Sequence, residues 1–222
     1  MKRFAAFCVI LAFAGLAPRA FSQEFTTAQI LAKLDEKAKV FTSVQASIKN
    51  LGVNYGVKQP EQSGKLIIAK SKDGPRIFFD ITEPTKTRAL IEKGKGIVYY
   101  PDDNTYRDTK VDPNGEQLQY LLIGWGASSD SITKGYKAEA KGREMIGSVN
   151  AVVLDLTSIA KSTDAYPLLK LWLDPQSWTP VQTRVGSSLK TYNDFKYSNA
   201  QMNKSIPDSV FDLKMKSGAK KQ

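Results

Sequence analysis

The chain has 222 residues, 41% of them hydrophobic, with 32 Lys and Arg against 22 Asp and Glu, no histidine and one cysteine. The absence of histidine and the single Cys8 remove the commonest general base, a disulfide framework and most zinc, copper or haem ligation. The roughly 200 residues that follow the first 22 are enough for one domain with a sizeable core, and no linker, repeat or low-complexity block divides them.

Lys2 and Arg3 open the chain, Phe4 to Ala17 forms an apolar run, and Ala20-Phe21-Ser22 offers a small-x-small site before Gln23. The run is shorter than the roughly 20 apolar residues that a membrane span needs. Residues 1–22 therefore read as a cleavable secretory signal, with the mature chain beginning near Gln23. Cys8 lies inside the run behind Phe7, whereas a lipidated cysteine needs a small residue before it, so Cys8 leaves with the signal. Losing Lys2, Arg3 and Arg19 lowers the basic count from 32 to 29 against 22 acids, a net charge of +7. The densest basic part is the tail Lys214, Lys216, Lys220 and Lys221. Over about 216–222 it reads as a flexible, solvated end, the other reading being contact with anionic lipid or an acidic partner.

Ile30, Leu31, Leu34, Ala38 and Phe41 recur at three- and four-residue spacing, which predicts an amphipathic helix over Phe25 to Phe41 with Thr26 or Thr27 as its cap. Val44-Gln45-Ala46-Ser47-Ile48 alternates and predicts a strand with Val44, Ala46 and Ile48 on its buried face. From Gly64 to Val111 the strands GKLIIAK, PRIFFDIT, TRALIEK, GIVYYP and TYRDTKV follow one another between turn clusters, a meandering antiparallel sheet so apolar that something must cover it. EQLQYLLIGWG then places Leu118, Leu121, Leu122 and Trp125 at helical spacing. This short greasy element is either permanent core or a mobile cover hinged at Gly124, Gly126, Ala127 and Ser128.

The meander resumes with YKAEAKGREMI, NAVVLDLTSI, LLKLWLD, WTPVQTRV, SLKTYNDFKY and a short VFDLKM. About eleven strands result, more than most open sheets hold without curling. The strand count with the helices predicts an α+β chain whose antiparallel sheet is strongly curved and barrel-like. Parity places Leu66, Ile68 and Lys70 on one face of their strand, as it does Ile77, Phe79 and Ile81, then Val152, Leu154 and Leu156, and then Leu169, Leu171 and Leu173. Lys70 alone is charged, and either snorkels to water or offers a hydrogen bond inside a greasy cleft.

No G-x-S-x-G or phosphate loop occurs, and no catalytic role or cofactor is expected. A carboxylate pair such as Asp102 and Asp103, or Asp155 and Asp164, and calcium at Asp102-Asp103-Asn104, are better read as turn chemistry. In KTYNDFKY the interleaved aromatics and lysines read as an edge or half-exposed strand rather than a nucleic-acid platform.

The signal, the helix, Val44-x-Ala46-x-Ile48, Gly64-Lys65-Leu66, Glu83-Pro84, the Gly94 to Tyr100 strand and Ile206-Pro207 before Phe211 occur in an order that resembles the outer-membrane lipoprotein carrier (LolA) family of the periplasm. The resemblance implies an incomplete antiparallel barrel of about eleven strands with helices forming a lid over a hydrophobic cavity for acyl chains, with Val44, Ile48, Leu66, Ile68, Ile77, Phe79, Ile81, Val152, Leu154, Leu156, Leu169 and Leu171 as its walls. It also implies Leu118, Leu121, Leu122 and Trp125 in the lid. Lys70 stands where that family has a lid-contacting arginine, followed by Ser71 in place of the usual proline, and lysine lacks arginine's forked hydrogen bonds. The implied partners are acylated lipoproteins or lipids, an inner-membrane lipoprotein-releasing transporter and an outer-membrane acceptor, the protein itself being a monomer that binds no nucleic acid. The alternative is a sensor domain of the same fold that recognises lipoprotein or a membrane regulator, and a lipid-modifying enzyme ranks below both.

Overall fold

The computed structural model describes residues 24–112, 120–159 and 167–222. The expected signal, its cleavage point and Leu118 lie outside them. Helix α1 spans Thr27–Val40, and Thr26 caps it reciprocally with Gln29 while Ile30 and Leu34 turn to the core. Eleven strands of six or more residues follow: β1 Ser43–Asn54, β3 Gln62–Ala69, β4 Arg76–Glu83, β5 Thr87–Glu92, β6 Lys95–Tyr100, β7 Thr105–Lys110, β8 Tyr136–Ile146, β9 Val149–Ser158, β10 Leu168–Leu173, β11 Pro180–Ser188 and β12 Thr191–Met202. Two-residue strands β2, Val57–Lys58, and β13, Lys220–Lys221, bring the sheet to thirteen. Helix α2 spans Ser129–Gly135.

All strands share one sheet in the order β13-β7-β6-β5-β4-β3-β1-β12-β11-β10-β9-β8, with β2 hanging on the end of β1. Two meanders, β3 to β7 and β8 to β12, are stitched together where β1 pairs with both β3 and β12. The ends of this order, β13 and β8, do not meet, so the barrel is incomplete. The predicted α+β fold with a curved, unclosed antiparallel sheet is the fold observed.

Both faces are covered, as the excess of apolar residues demands. On the concave face, α1 and residues 120–127 bury the aliphatic files of both meanders. On the convex face of β3 to β7, the stretch after β12 crosses as a strap, and its Phe211 and Leu213 pack with Ile67, Phe78, Leu90 and Tyr99. Across β9 to β11 no strap among the described residues reaches the convex face, and Trp172 is covered instead by long polar side chains. Its Nε1 donates to Glu144, and Lys170 lies 4.9 Å above its ring.

Three local expectations are corrected. VFDLKM is not a strand. Asp208–Phe211 forms a 3-10 turn and the stretch beyond it runs irregularly over the sheet, because Phe211 and Leu213 are anchors for the convex face. The tail is not a free end, since β13 pairs in parallel with β7, Lys221 bonds to Asp108 and Gln222 to Thr105 and Arg107. Finally, of the two readings of KTYNDFKY, half-exposed strand holds and edge strand does not. β12 sits mid-sheet between β1 and β11, and its half-exposed pattern reflects a convex face on which Asp194 is paired with Arg184 at 2.6 Å.

Candidate functional site

The concave face is built by period-two alternation. In β1, Val44, Ala46 and Ile48 point inward; in β3, Leu66 and Ile68; in β4, Ile77 and Ile81, with Phe79 partly buried beside them. Across β12 the second meander supplies Val152, Leu154 and Leu156 from β9 and Leu169, Leu171 and Leu173 from β10. All twelve wall positions read from the sequence therefore share the face beneath the helices.

Two elements occupy the concavity. Helix α1 lays Ile30 and Leu34 on the β9 and β10 files, and Phe41, just past its end, on those of β1, β3 and β4. The second is the 120–127 segment, helical at 120–122 and then tightly turned, with the amides of Trp125, Gly126 and Ala127 all donating to the Leu122 carbonyl. This turn drives Trp125 to 2% exposure. Its ring meets Tyr197 edge to face at 5.1 Å, while Leu121 and Leu122 pack beside it and Leu122 touches both halves of the core. Two glycines permit the turn. Gly124 has φ +85°, and a Cβ on Gly126 would run into the Phe41 ring.

At the centre, between Leu66, Phe79, Leu121, Trp125 and Tyr197, a void of about 10 Å³ remains, at the lower limit for one water. The concavity is thus filled by the chain itself. Among the described residues no charged side chain lines that void. Burial pushes the Tyr197 phenol up to about 12, against the opposing pull of hydrogen bonds with Thr183 and Trp125.

The polar chemistry sits at the rim. Lys70, at the end of β3, donates from Nζ to the Ala38 carbonyl in the last turn of α1 at 3.1 Å and lies 5.7 Å from the Phe41 ring centre. A lysine there meets an unsatisfied helix-end carbonyl and the negative end of the helix dipole. Asp35 of α1 accepts from both the amide and the hydroxyl of Ser129 at 2.6 Å, tying α1 to the start of α2. Those bonds hold its carboxyl below the usual range. Lys70, Asp35, Leu122 and Ser129 border an open cleft at this rim.

Sequence reasoning did not name Thr183, Val185, Phe195 and Tyr197 of β11 and β12, although Val185, Phe195 and Tyr197 carry the alternation that would have found them. Asp102, Asp103 and Asn104 form the β6–β7 turn, where the Tyr99 hydroxyl donates to Asn104. Asp155 lies on β9, 4.0 Å from Lys170, and Asp164 falls outside the described residues. Among the described residues no group of acidic, histidine or cysteine side chains is placed to hold a metal, and no helix is long and apolar enough to cross a membrane.

No protein-family model and no curated protein matches the sequence. Solved structures do. A conserved protein of Thermus thermophilus superposes with TM-score 0.55 at 11% identity, over 88% of this chain and 98% of that one. MucB superposes with TM-score 0.51 at 12% identity, over 84% of this chain, which spans 62% of the MucB chain. A LolA superfamily protein from Nitrosomonas europaea aligns at TM-score 0.40 and 17% identity, over 85% and 98% of the two chains. At such identities the likeness is one of fold. The fold shared with the Thermus protein and MucB is an unclosed curved sheet with helices laid over its concave face.

Proposed function

We propose that the chain is an exported, periplasmic carrier that takes up the acyl chains of lipoproteins or related lipids and passes them from an inner-membrane transporter to an outer-membrane acceptor. The observation behind this reading is that the aliphatic concavity is filled by Trp125, Leu121 and Leu122, side chains of a short glycine-jointed segment rather than of the sheet. A 16-carbon chain gains roughly 12 kcal/mol gross at about 0.8 kcal/mol per methylene. Displacing three large apolar side chains from the core costs about 1.5–3 kcal/mol each. The difference leaves roughly 3–7 kcal/mol, which corresponds to affinities from millimolar to micromolar, a range that permits both loading and release. Lys70 then serves as the tie between lid and wall, taking the place of the arginine of the resembled family.

The sensor reading is second, favoured by the likeness to MucB. In it the same concavity or its rim holds a protein segment. Titration with a fluorescent fatty acid, together with native mass spectrometry of protein purified from its own host, tests the first reading. Trp125→Ala, which removes the plug but no wall, is expected to bind the probe at least tenfold more tightly. A protein that takes up no acyl probe in either form, and co-purifies with a peptide or protein instead, moves the sensor reading to first place.

A further inference from the structure

Far from α1, two hairpin tips lie side by side at the other end of β1. The β1–β2 turn holds Tyr55 and Gly56, and the β11–β12 turn holds Leu189 and Lys190. The Gly56 amide donates to the Lys190 carbonyl at 2.7 Å, and the Tyr55 amide to the Thr191 hydroxyl at 3.2 Å. Tyr55 is 84% exposed, Leu189 81% and Val57 63%, whereas most large apolar side chains of this protein are buried. Further along the same rim Ile159 is also exposed.

Tyr55 stands at φ +49° and Gly56 at +85°, the left-handed pair of a two-residue hairpin turn, where Asn-Gly or Asp-Gly is the ordinary choice. A bulky aromatic at such a position is disfavoured and gains no packing there in return, so the fold alone does not account for it. The charge of the tip points the same way. Segments 54–60 and 187–193 contain Lys58 and Lys190 and no acid. Both lysines are exposed, and neither forms an ion pair among the described residues.

We infer that this tip docks on an anionic bilayer surface. Leu189 and Val57 enter the acyl boundary, the Tyr55 ring sits at headgroup level, and Lys58 and Lys190 meet the lipid phosphates. The proposal rests on this surface and not on the cavity, so each reading survives failure of the other.

The test is co-sedimentation of the chain from Gln23 onward with vesicles of phosphatidylethanolamine and phosphatidylglycerol, compared with pure phosphatidylcholine. Tyr55→Asn with Leu189→Ser keeps a residue suited to positive φ and removes the apolar contact. It is expected to lower partitioning onto anionic vesicles at least tenfold, with unfolding temperature and fatty-acid binding unchanged. Lys58→Glu with Lys190→Glu is expected to lower it by a similar factor and to abolish its salt dependence. Because the chain beyond the signal has no cysteine, Leu189→Cys carries a single environment-sensitive dye whose emission shifts to the blue on anionic vesicles. Equal binding to both vesicle types, equal binding by the variants, or a tip that pairs two copies of the protein while ignoring vesicles overturns the proposal.

Discussion

Gly126 has little room in the 120–127 segment, because a Cβ there would run into the Phe41 ring. Gly126→Ala is expected to destabilise the protein by about 1–3 kcal/mol, the usual cost of overpacking, measured by denaturant unfolding. Replacing the ring with a smaller side chain, Phe41→Leu, should restore part of the loss. Asp35 carries a different kind of constraint. Its folded pKa is depressed, so its contribution is full above the unfolded value of about 4 and is lost as pH falls through the lower folded value. Asp35→Ala is therefore expected to cost about 1–2 kcal/mol at neutral pH and progressively less below pH 4, read from unfolding curves across the acid range. The same substitution removes the bonds between α1 and α2, and the proposed carrier role then predicts faster uptake of a fluorescent fatty acid.

At the scale of elements, the strap seals half of the convex face through few contacts. Phe211 is buried against Ile67 and Phe78 with the Arg76 guanidinium 4.0 Å above its ring, itself paired with Glu92 and Asp208. Phe211→Ala is expected to cost about 3 kcal/mol and to increase binding of a hydrophobic dye, without changing the concave site. The strap also marks what the sequence made legible. Strands whose inward files are uniformly apolar, such as Ile77-Phe79-Ile81 and Val152-Leu154-Leu156, were readable because alternation needs only neighbours along the chain. Phe211 and Leu213 do alternate, which made VFDLKM read as a strand, but their partners are on strands more than a hundred residues earlier, and local patterning carries no record of them. The mid-sheet place of β12 was hidden for the same reason. Its lysine, Lys196, faces solvent on a convex surface that the chain alone does not reveal. Trp125 was legible as apolar and helical in spacing, but its role as plug depends on the turn that aims it inward.

On the scale of the whole molecule, the seam between the two meanders carries a kinetic meaning. Thr42 is bonded to Asn203 across 161 residues of chain, and β1 lies along β12 for most of its length. The central hydrogen bonds of the sheet are thus the ones most distant in sequence, which makes β12 the gatekeeper of folding. Until residues 191–202 are available, β1 shows one bare edge to any passing strand, and a newly made chain is at its most adhesive. A chain built this way is safest from stray pairing only once β1 has β12 beside it.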